Sequence, residues 1–517
     1  MTSADVWFEQ AVKLYDESIA EPVFWLGDDC HRENAKLKFK DCYVAEMNTV
    51  IHYPWRLENP QYLNSYADFF WSENYMRCKD ICIKMMDRLD HYGMFSRLDR
   101  EIYLKNIAIW ILNIISQTKP DALVVAEAPH AHAQYLIYEI FLYLKIPIAR
   151  FISWSIQPIV QLQRVQERDL VECKTSFDLP EWNQMSLGIQ SYIKKISNSK
   201  NYHEFIPKAI SDQKKNNVWL KTFLGDVTNV TLSFEQHEYK NMFSKDMIKI
   251  LGRETFRNWK FRINKEYLPV NPQFLGFIYG NWIKRNKRKK LNNEYLKNID
   301  ILDINNPYVY FALHYEPERT TNPDGEEFHD QILAIIALRK ILPEDVNIYV
   351  KEHPSQFYIA KGARGRSPLF YNTIRMIKNV KLIDHSLSSY NLITESLFVA
   401  TITGTVAIEA SILGSKSIYF GNAWFAGMPN TVKWSDKLTF EEIMKLPKAN
   451  PDDVYNFMID LKSKYGIPCF RNAYGVNDIS SKGKSKDFAL TEVKGVVHLM
   501  KEFWKLQGNG SYDKHIS

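Results

Sequence analysis

From about residue 301 to residue 425 the chain alternates short apolar runs with helix-like segments, and this rhythm limits the fold more than any other feature. The runs are Tyr308–Leu313, Ile348–Val350, Val380–Ile383, Phe398–Thr401 and Ser417–Phe420. Between them stand DQILAIIALRKIL, YNTIRMI, SSYNLITESL and TVAIEASILG. Strands that alternate with helices make βαβ units, and so a parallel sheet with helices on both faces. Right-handed crossovers then bring every strand C-terminus to one edge. Ligands bind such sheets beyond that edge.

A fainter version of the same rhythm lies near the start. PVFWLGDD (22–29) reads as a strand and its loop, and DALVVAEAPH (121–130) as a stronger strand. A helical stretch, AQYLIYEIFLYL, and a short strand, IPIARF, follow. This is the pattern of a second doubly wound domain, with long helical additions around residues 60 to 117. Between 180 and 300 the chain is mostly helical and charged, ending in KRNKRKK (284–290). That run is either a solvated connector or a basic patch for an anionic membrane or acceptor. DFALTEVKGVVHLMKEFWKLQ, near the C-terminus, has the pattern of an amphipathic helix able to pack back on either domain.

The expected organisation is therefore α/β, with two Rossmann-like doubly wound domains and added helices. Residues 1–300 form the first domain, 301–450 the second, and 451–517 helices that return to them. At 517 residues the chain is too long for one core, which agrees. A net charge of +6 suits anionic partners without requiring nucleic acid, and none is expected. The six cysteines show no metal spacing. Cys78 and Cys82 lie one helical turn apart in NYMRCKDICIKMMDRL and read as partly buried thiols, which suits a reducing cytoplasm. The first residues, MTSADVWFEQ, lack the pattern of a secretion signal. The longest apolar stretch, IAIWILNII (107–115), falls short of the roughly 20 residues that span a bilayer. The expected location is cytoplasmic, with any contact at the inner membrane face peripheral.

Four motifs fall at the ends of the second domain's strands. In VNIYVKEHPSQ the strand stops in Lys351, Glu352, His353 and Pro354. Pro354 bars His353 from the helical conformation and fixes the turn. A held imidazole can donate to a phosphate or a base carbonyl, and Lys351 adds positive charge. In TGTVAIEASILGSKSIYFG, Thr403, Gly404 and Thr405 open a helix whose amides and dipole favour an anion. Gly404 admits a phosphate close to the backbone. Glu409 can accept two hydrogen bonds from a ribose diol. In HSLSSYNLITES, Ser388 and Ser389 precede a helix, where they can cap it or contact phosphate. In HYEPERTTNPDG the loop is longer than a connector needs. Its Arg319 is the candidate for neutralising a departing phosphate.

Together YFALHYEPERTTNPDG, YVKEHP, SLSSYNLI and TGTVAIEASILGSKSIYFG resemble the nucleotide-binding half of bacterial capsular and surface polysaccharide glycosyltransferases of GT-B architecture. The His-Pro and Ser-Ser elements are similar to those of Kdo transferases, bacterial sialyltransferases and polyglycerol-phosphate polymerases. The resemblance implies two Rossmann-like domains facing a cleft and a cytidine-activated donor. It implies that His353 contacts the donor phosphate or cytidine, that Ser388, Ser389 and Thr405 bind phosphate, and that Glu409 binds the ribose. The glycine and glutamate of 404–409 also resemble UDP-sugar 2-epimerases, so a UDP-sugar stays open as the donor.

Sugar transfer also needs a base for the acceptor hydroxyl, expected from the first domain. Candidates are Glu127 and His130 in AEAPH, and Asp28 or Asp29 in WLGDD. No DxD metal motif ends a strand of the second domain, so the expected reaction uses no metal and no cofactor beyond the nucleotide-sugar co-substrate. The expected function is transfer of a sugar, a CMP-linked ulosonic acid favoured, to a glycan or lipid-linked glycan acceptor. The alternatives are a nucleotide-sugar epimerase or hydrolase, and a non-catalytic assembly or export protein.

Overall fold

The structure is a computed structural model that describes residues 5–27, 29–52, 54, 57, 64–90, 95–198, 274–358, 362–469 and 486–508. The chain divides into two compact units, each drawn from separated segments. The first comprises Met1–Cys82, Glu101–Lys194 and Tyr455–Ser517, and the second Ile83–Arg100 and Lys195–Val454. Both units are α/β and contain parallel strands. No described helix is long and apolar enough to cross a membrane.

The first unit holds β1 (Phe24–Gly27), β2 (Tyr43–Glu46), β3 (Leu123–Val125), β4 (Ile148–Ser153), β5 (Ile159–Arg164) and β6 (Asp169–Leu170). β1 and β2 pair in parallel, as do β3 and β4. The connection from β4 to β5, residues 154–158, is too short for a crossover. β5 therefore lies antiparallel to β4, and the sheet is mixed. The sequence pattern had marked β4 but not β5. Alternation along β4 and β5 turns Ala149, Phe151, Val160 and Leu162 into one core. The helix Lys486–Gly508 covers them with Val493, Val496, Val497, Met500 and Phe503, a stripe at helical spacing. Cys78 and Cys82 are buried thiols on the helix Glu73–Met85.

The second unit holds β7 (Tyr308–Ala312), β8 (Asn347–Lys351), β9 (Val380–Ile383), β10 (Val399–Thr401), β11 (Ser417–Tyr419) and β12 (Thr431–Lys433); β13 (Ile467–Pro468) pairs with β5 in the first. The order across the second sheet is β12-β11-β10-β7-β8-β9, and every pair is parallel. Counted from β7, this is the doubly wound order, which reverses between β7 and β10.

Successive residues of these strands feed two cores. Val309, Phe311, Ile348, Val350, Leu382 and Ala400 pack with Ala334, Ile335, Leu338, Tyr371 and Ile374 of the helices after β7 and β8. Tyr308, Tyr310, Tyr349, Ile383 and Val399 pack with Leu392, Ile393 and Ala410 of the helices after β9 and β10. Burial on both faces explains why these strands read as continuous apolar runs rather than alternating ones.

The second unit begins before residue 301. The helix Phe274–Asn298, which carries the KRNKRKK run, lends Leu291 and Tyr295 to its core. The segment 83–100 joins it through polar contacts. Lys84 pairs with Glu316 at 3.1 Å and donates to the His329 carbonyl. Arg88 donates to the Asn322 carbonyl, and Arg364 to the Arg88 carbonyl at 2.9 Å.

Candidate functional site

The loops that leave β7, β8, β9 and β10 share the C-terminal edge of the second sheet, and the reversal of strand order lies between β7 and β10. β8 delivers Lys351 and His353. The Lys351 side chain is buried, and its ammonium donates to the Leu387 carbonyl at 2.8 Å and to the Ser389 hydroxyl at 2.6 Å. This contact brings the loops after β8 and β9 together. From the sequence, Ser389 is expected at a phosphate and Lys351 as added positive charge; here the two bind each other. Ser388 caps the helix Ser389–Glu395, accepting the Asn391 N–H at 3.4 Å.

His353 is partly buried beside Tyr315, with ring centres 6.4 Å apart. Its Nδ1 accepts the Ser355 N–H at 3.2 Å, so the neutral ring carries its proton on Nε2. Desolvation, then the neighbouring His314, Lys351 and Arg366, push its pKa down to about 3. The ring is therefore a neutral donor at physiological pH. Pro354 follows directly, before the one-turn helix Ser355–Tyr358.

The loop after β10 is fastened by a residue that the sequence reading passed over. His314 Nε2 accepts the Thr403 N–H at 3.2 Å and lies 3.0 Å from the Thr401 hydroxyl. Its Nδ1 is 3.3 Å from the Thr320 hydroxyl. Burial lowers its pKa to about 4, so it stays neutral. Thr403 donates its hydroxyl to the Thr320 carbonyl at 2.7 Å. Gly404 is required by packing, since a Cβ there would sit 2.6 Å from Thr401 Oγ1 and 3.2 Å from His314 Nε2. Thr405 is the N-cap of the seven-residue helix Val406–Ile412, and its hydroxyl lies 3.4 Å from Glu409 Oε1. Desolvation pushes the Glu409 carboxyl up to about 7, against the opposing pull of Thr405 and Lys351.

Arg319 is paired within its own loop, to Asp324 at 2.6 Å. In the first unit, Glu127 is buried just past β3, and its Oε2 lies 3.6 Å from His130 Nδ1. His130 is exposed, and its Nδ1 also lies 3.1 Å from the Ala128 carbonyl. Gln134 accepts the N–H groups of His130 and Ala131 at 2.8 and 2.9 Å, which fixes the turn into the helix His132–Tyr143. Asp28 lies outside the described residues, and so does the side chain of Asp29.

Beneath these loops runs a buried polar layer that sequence patterns do not single out. Gln331 donates to Glu316 at 2.8 Å and to the His314 carbonyl at 3.2 Å. Gln356 holds the backbone of Glu316 on both sides, accepting its N–H at 2.9 Å and donating to its carbonyl at 3.0 Å. Lys84 and Arg366 hold the Glu316 carboxyl below the usual carboxylate range, although burial opposes them. Glu352, fully buried, binds Arg366 and Tyr371. One sequence signal pointed here: an acid at the end of a buried strand needs a cationic partner somewhere in the chain.

Residues 275–459 match the family model described as capsule polysaccharide biosynthesis protein. No curated protein matches the chain. Among solved structures it is similar to the beta Kdo 2,4 transferase of Thermosulfurimonas dismutans KpsC, at 15% identity over 34% of this chain, with a TM-score of 0.22. The chain covers 54% of that protein. The beta Kdo 2,7 transferase of the same KpsC is 8% identical over 68% of this chain and 89% of its own, with a TM-score of 0.24. The UDP-GlcNAc 2-epimerase of Methanocaldococcus jannaschii is 13% identical over 95% of this chain and all of its own, with a TM-score of 0.22.

Proposed function

We propose that the protein is a glycosyltransferase of surface polysaccharide synthesis. It moves a sugar, a CMP-linked ulosonic acid in the favoured reading, from a nucleotide-activated donor to a glycan acceptor. One observation carries the reading. Lys351 and His353 after β8, Ser389 after β9, and Thr405 and Glu409 after β10 share the sheet edge beside the reversal of strand order. The family match over residues 275–459 supports it.

Each group has a task that its chemistry suits. His353 donates from Nε2 to the donor phosphate or the base. Lys351, held by Ser389, puts positive charge beside the phosphate, where negative charge grows as the sugar departs. Glu409 accepts the ribose hydroxyls, and a carboxyl near neutral pKa does so at little desolvation penalty when the ligand arrives. Arg319 adds charge by exchanging Asp324 for phosphate. The acceptor hydroxyl loses its proton to Glu127 or His130, with Asp28 the other candidate. The step needs no metal in this scheme, because protein cations neutralise the leaving group.

A thermal-shift series with CMP, CDP, UDP and GDP tests the proposal. CMP at a hundredfold excess over its Kd stabilises the protein by about 2.7 kcal/mol, and the other nucleotides do so less. Indifference to all four rules out the nucleotide site. Donor breakdown without any acceptor moves the activity to a hydrolase or epimerase instead.

A further inference from the structure

A buried ion pair stands behind the edge and touches the backbone of both histidine loops. The Glu352 carboxylate accepts four hydrogen bonds, two on each oxygen. Oε1 takes the His353 N–H at 2.8 Å and Arg366 Nη2 at 3.1 Å, while Oε2 takes Arg366 Nε at 3.1 Å and the Tyr371 hydroxyl at 2.7 Å. Arg366 Nη2 also donates to the His314 carbonyl at 2.9 Å, and Nη1 lies 3.8 Å from Glu316 Oε1. The guanidinium rests 4.1 Å above the Phe370 ring. His314, so held, receives the Thr403 N–H. One side chain thus connects the loop after β8 to the loop after β7, and through His314 to the loop after β10.

We infer that Arg366 is a positioning residue: with Glu352 it fixes the peptide at His353 and the carbonyl at His314, and so sets the spacing between the His353 ring and the Thr403–Thr405 turn. The inference rests on reading this edge as the nucleotide-sugar site. Stability alone does not explain the arrangement. Burying two charges is expensive, and apolar residues of the same volume commonly do as well or better. What an apolar pair lacks is direction. The planar guanidinium makes its contacts at fixed angles, and a lysine cannot reproduce them from a single ammonium.

Arg366→Lys keeps the charge and removes the fork. In wild type the ¹⁵N ring signals of His353 show one neutral tautomer, with the proton on Nε2. In Arg366→Lys the backbone at His353 loosens, the bond from the Ser355 N–H weakens, and the signals average toward a mixture of both tautomers. CMP affinity falls about tenfold or more, the scale of one lost hydrogen bond to a charged group. Far-ultraviolet circular dichroism, unchanged from wild type, reports that the fold is kept. A variant with the wild-type ring signals and wild-type CMP affinity overturns the inference. Should Arg366→Lys fail to fold, Tyr371→Phe removes a single donor from Glu352 and gives the same two changes at smaller amplitude; no change in either overturns the inference equally. If wild type binds no nucleotide, the functional reading falls by itself. The ring signals then decide on Arg366 alone, with a single unchanged tautomer counting against it.

Discussion

The corner after β3 in the first unit and the edge after β7 to β10 in the second both join acids to imidazoles, yet they are built in opposite ways. Glu127 and His130 sit three residues apart on one turn, 3.6 Å from each other, and the His130 side chain is 44% exposed. Nothing distant along the chain has to form for them to meet. At the second edge the partners come from loops as many as 89 residues apart, and the deepest of them are fully buried. An exposed local partner such as His130 can be turned or replaced with little effect on folding. A buried non-local one is part of what the folded state is, because each charge there was desolvated on the expectation of its partner.

Substitutions separate the two designs. The largest effect belongs to Arg366→Ala, which strands Glu352 without a countercharge inside the second unit. Denaturant unfolding shows a loss of about 3–5 kcal/mol. A loss under 1 kcal/mol would make the second edge as loosely coupled to the core as the first.

The next effect is a pH dependence of about 1–3 kcal/mol. Glu409 holds its proton to about pH 7 when folded, against 4.5 for an ordinary glutamic acid. Between those values the folded protein binds the proton and the unfolded chain has released it. This group therefore makes stability fall as pH rises from about 4.5 to about 7. Glu409→Gln abolishes that fall, so the stability difference between variant and wild type widens through the same window. His314 and His353 have the opposite sign. They stay neutral in the fold down to about 4 and about 3, so acidification below 6.5 favours the unfolded chain. Stability measured from pH 4 to pH 8 in both proteins resolves the two slopes, and a pH-independent difference refutes the assignment to Glu409.

The smallest effect is on the other side of the comparison. His130→Ala changes stability by no more than about 0.5 kcal/mol, as exposed positions do. Sugar transfer, if His130 is the base or orients Glu127, drops about 10²–10⁴-fold. A clear fall in melting temperature would show that the β3 corner is bound into its core after all.

The same contrast governs what was legible from residues alone. The five strands β7 to β11 announce themselves because burial on both faces leaves runs such as Tyr308–Ala312 with no polar interruption. β12 stayed hidden: Thr431–Lys433 is three residues long, partly exposed and at the sheet margin. β5 is not evident from residues alone because glutamines alternate with its core residues Val160 and Leu162, although Gln161 is buried on the opposite face. At the site, Lys351, His353, Gly404 and Glu409 stand out because each follows a recognisable strand. Arg366 lies in GARGRS, which has no period at all, and meets Glu352 only when the chain folds back. His314 stood in a motif already suspected, but its bond to the Thr403 amide joins two crossovers that no local pattern connects.

The core on β4 and β5 is closed by Val493, Val496, Val497, Met500 and Phe503. This has a consequence for synthesis on the ribosome. The strands Ile148–Ser153 and Ile159–Arg164 emerge early, but the helix that shields their inner face is translated more than three hundred residues later. In the interval the second unit, which ends at Val454, can finish folding, while β4 and β5 have only earlier partners such as Trp7 and Leu14 on that face. Until that helix has been made, part of the apolar face of β4 and β5 stays open to solvent.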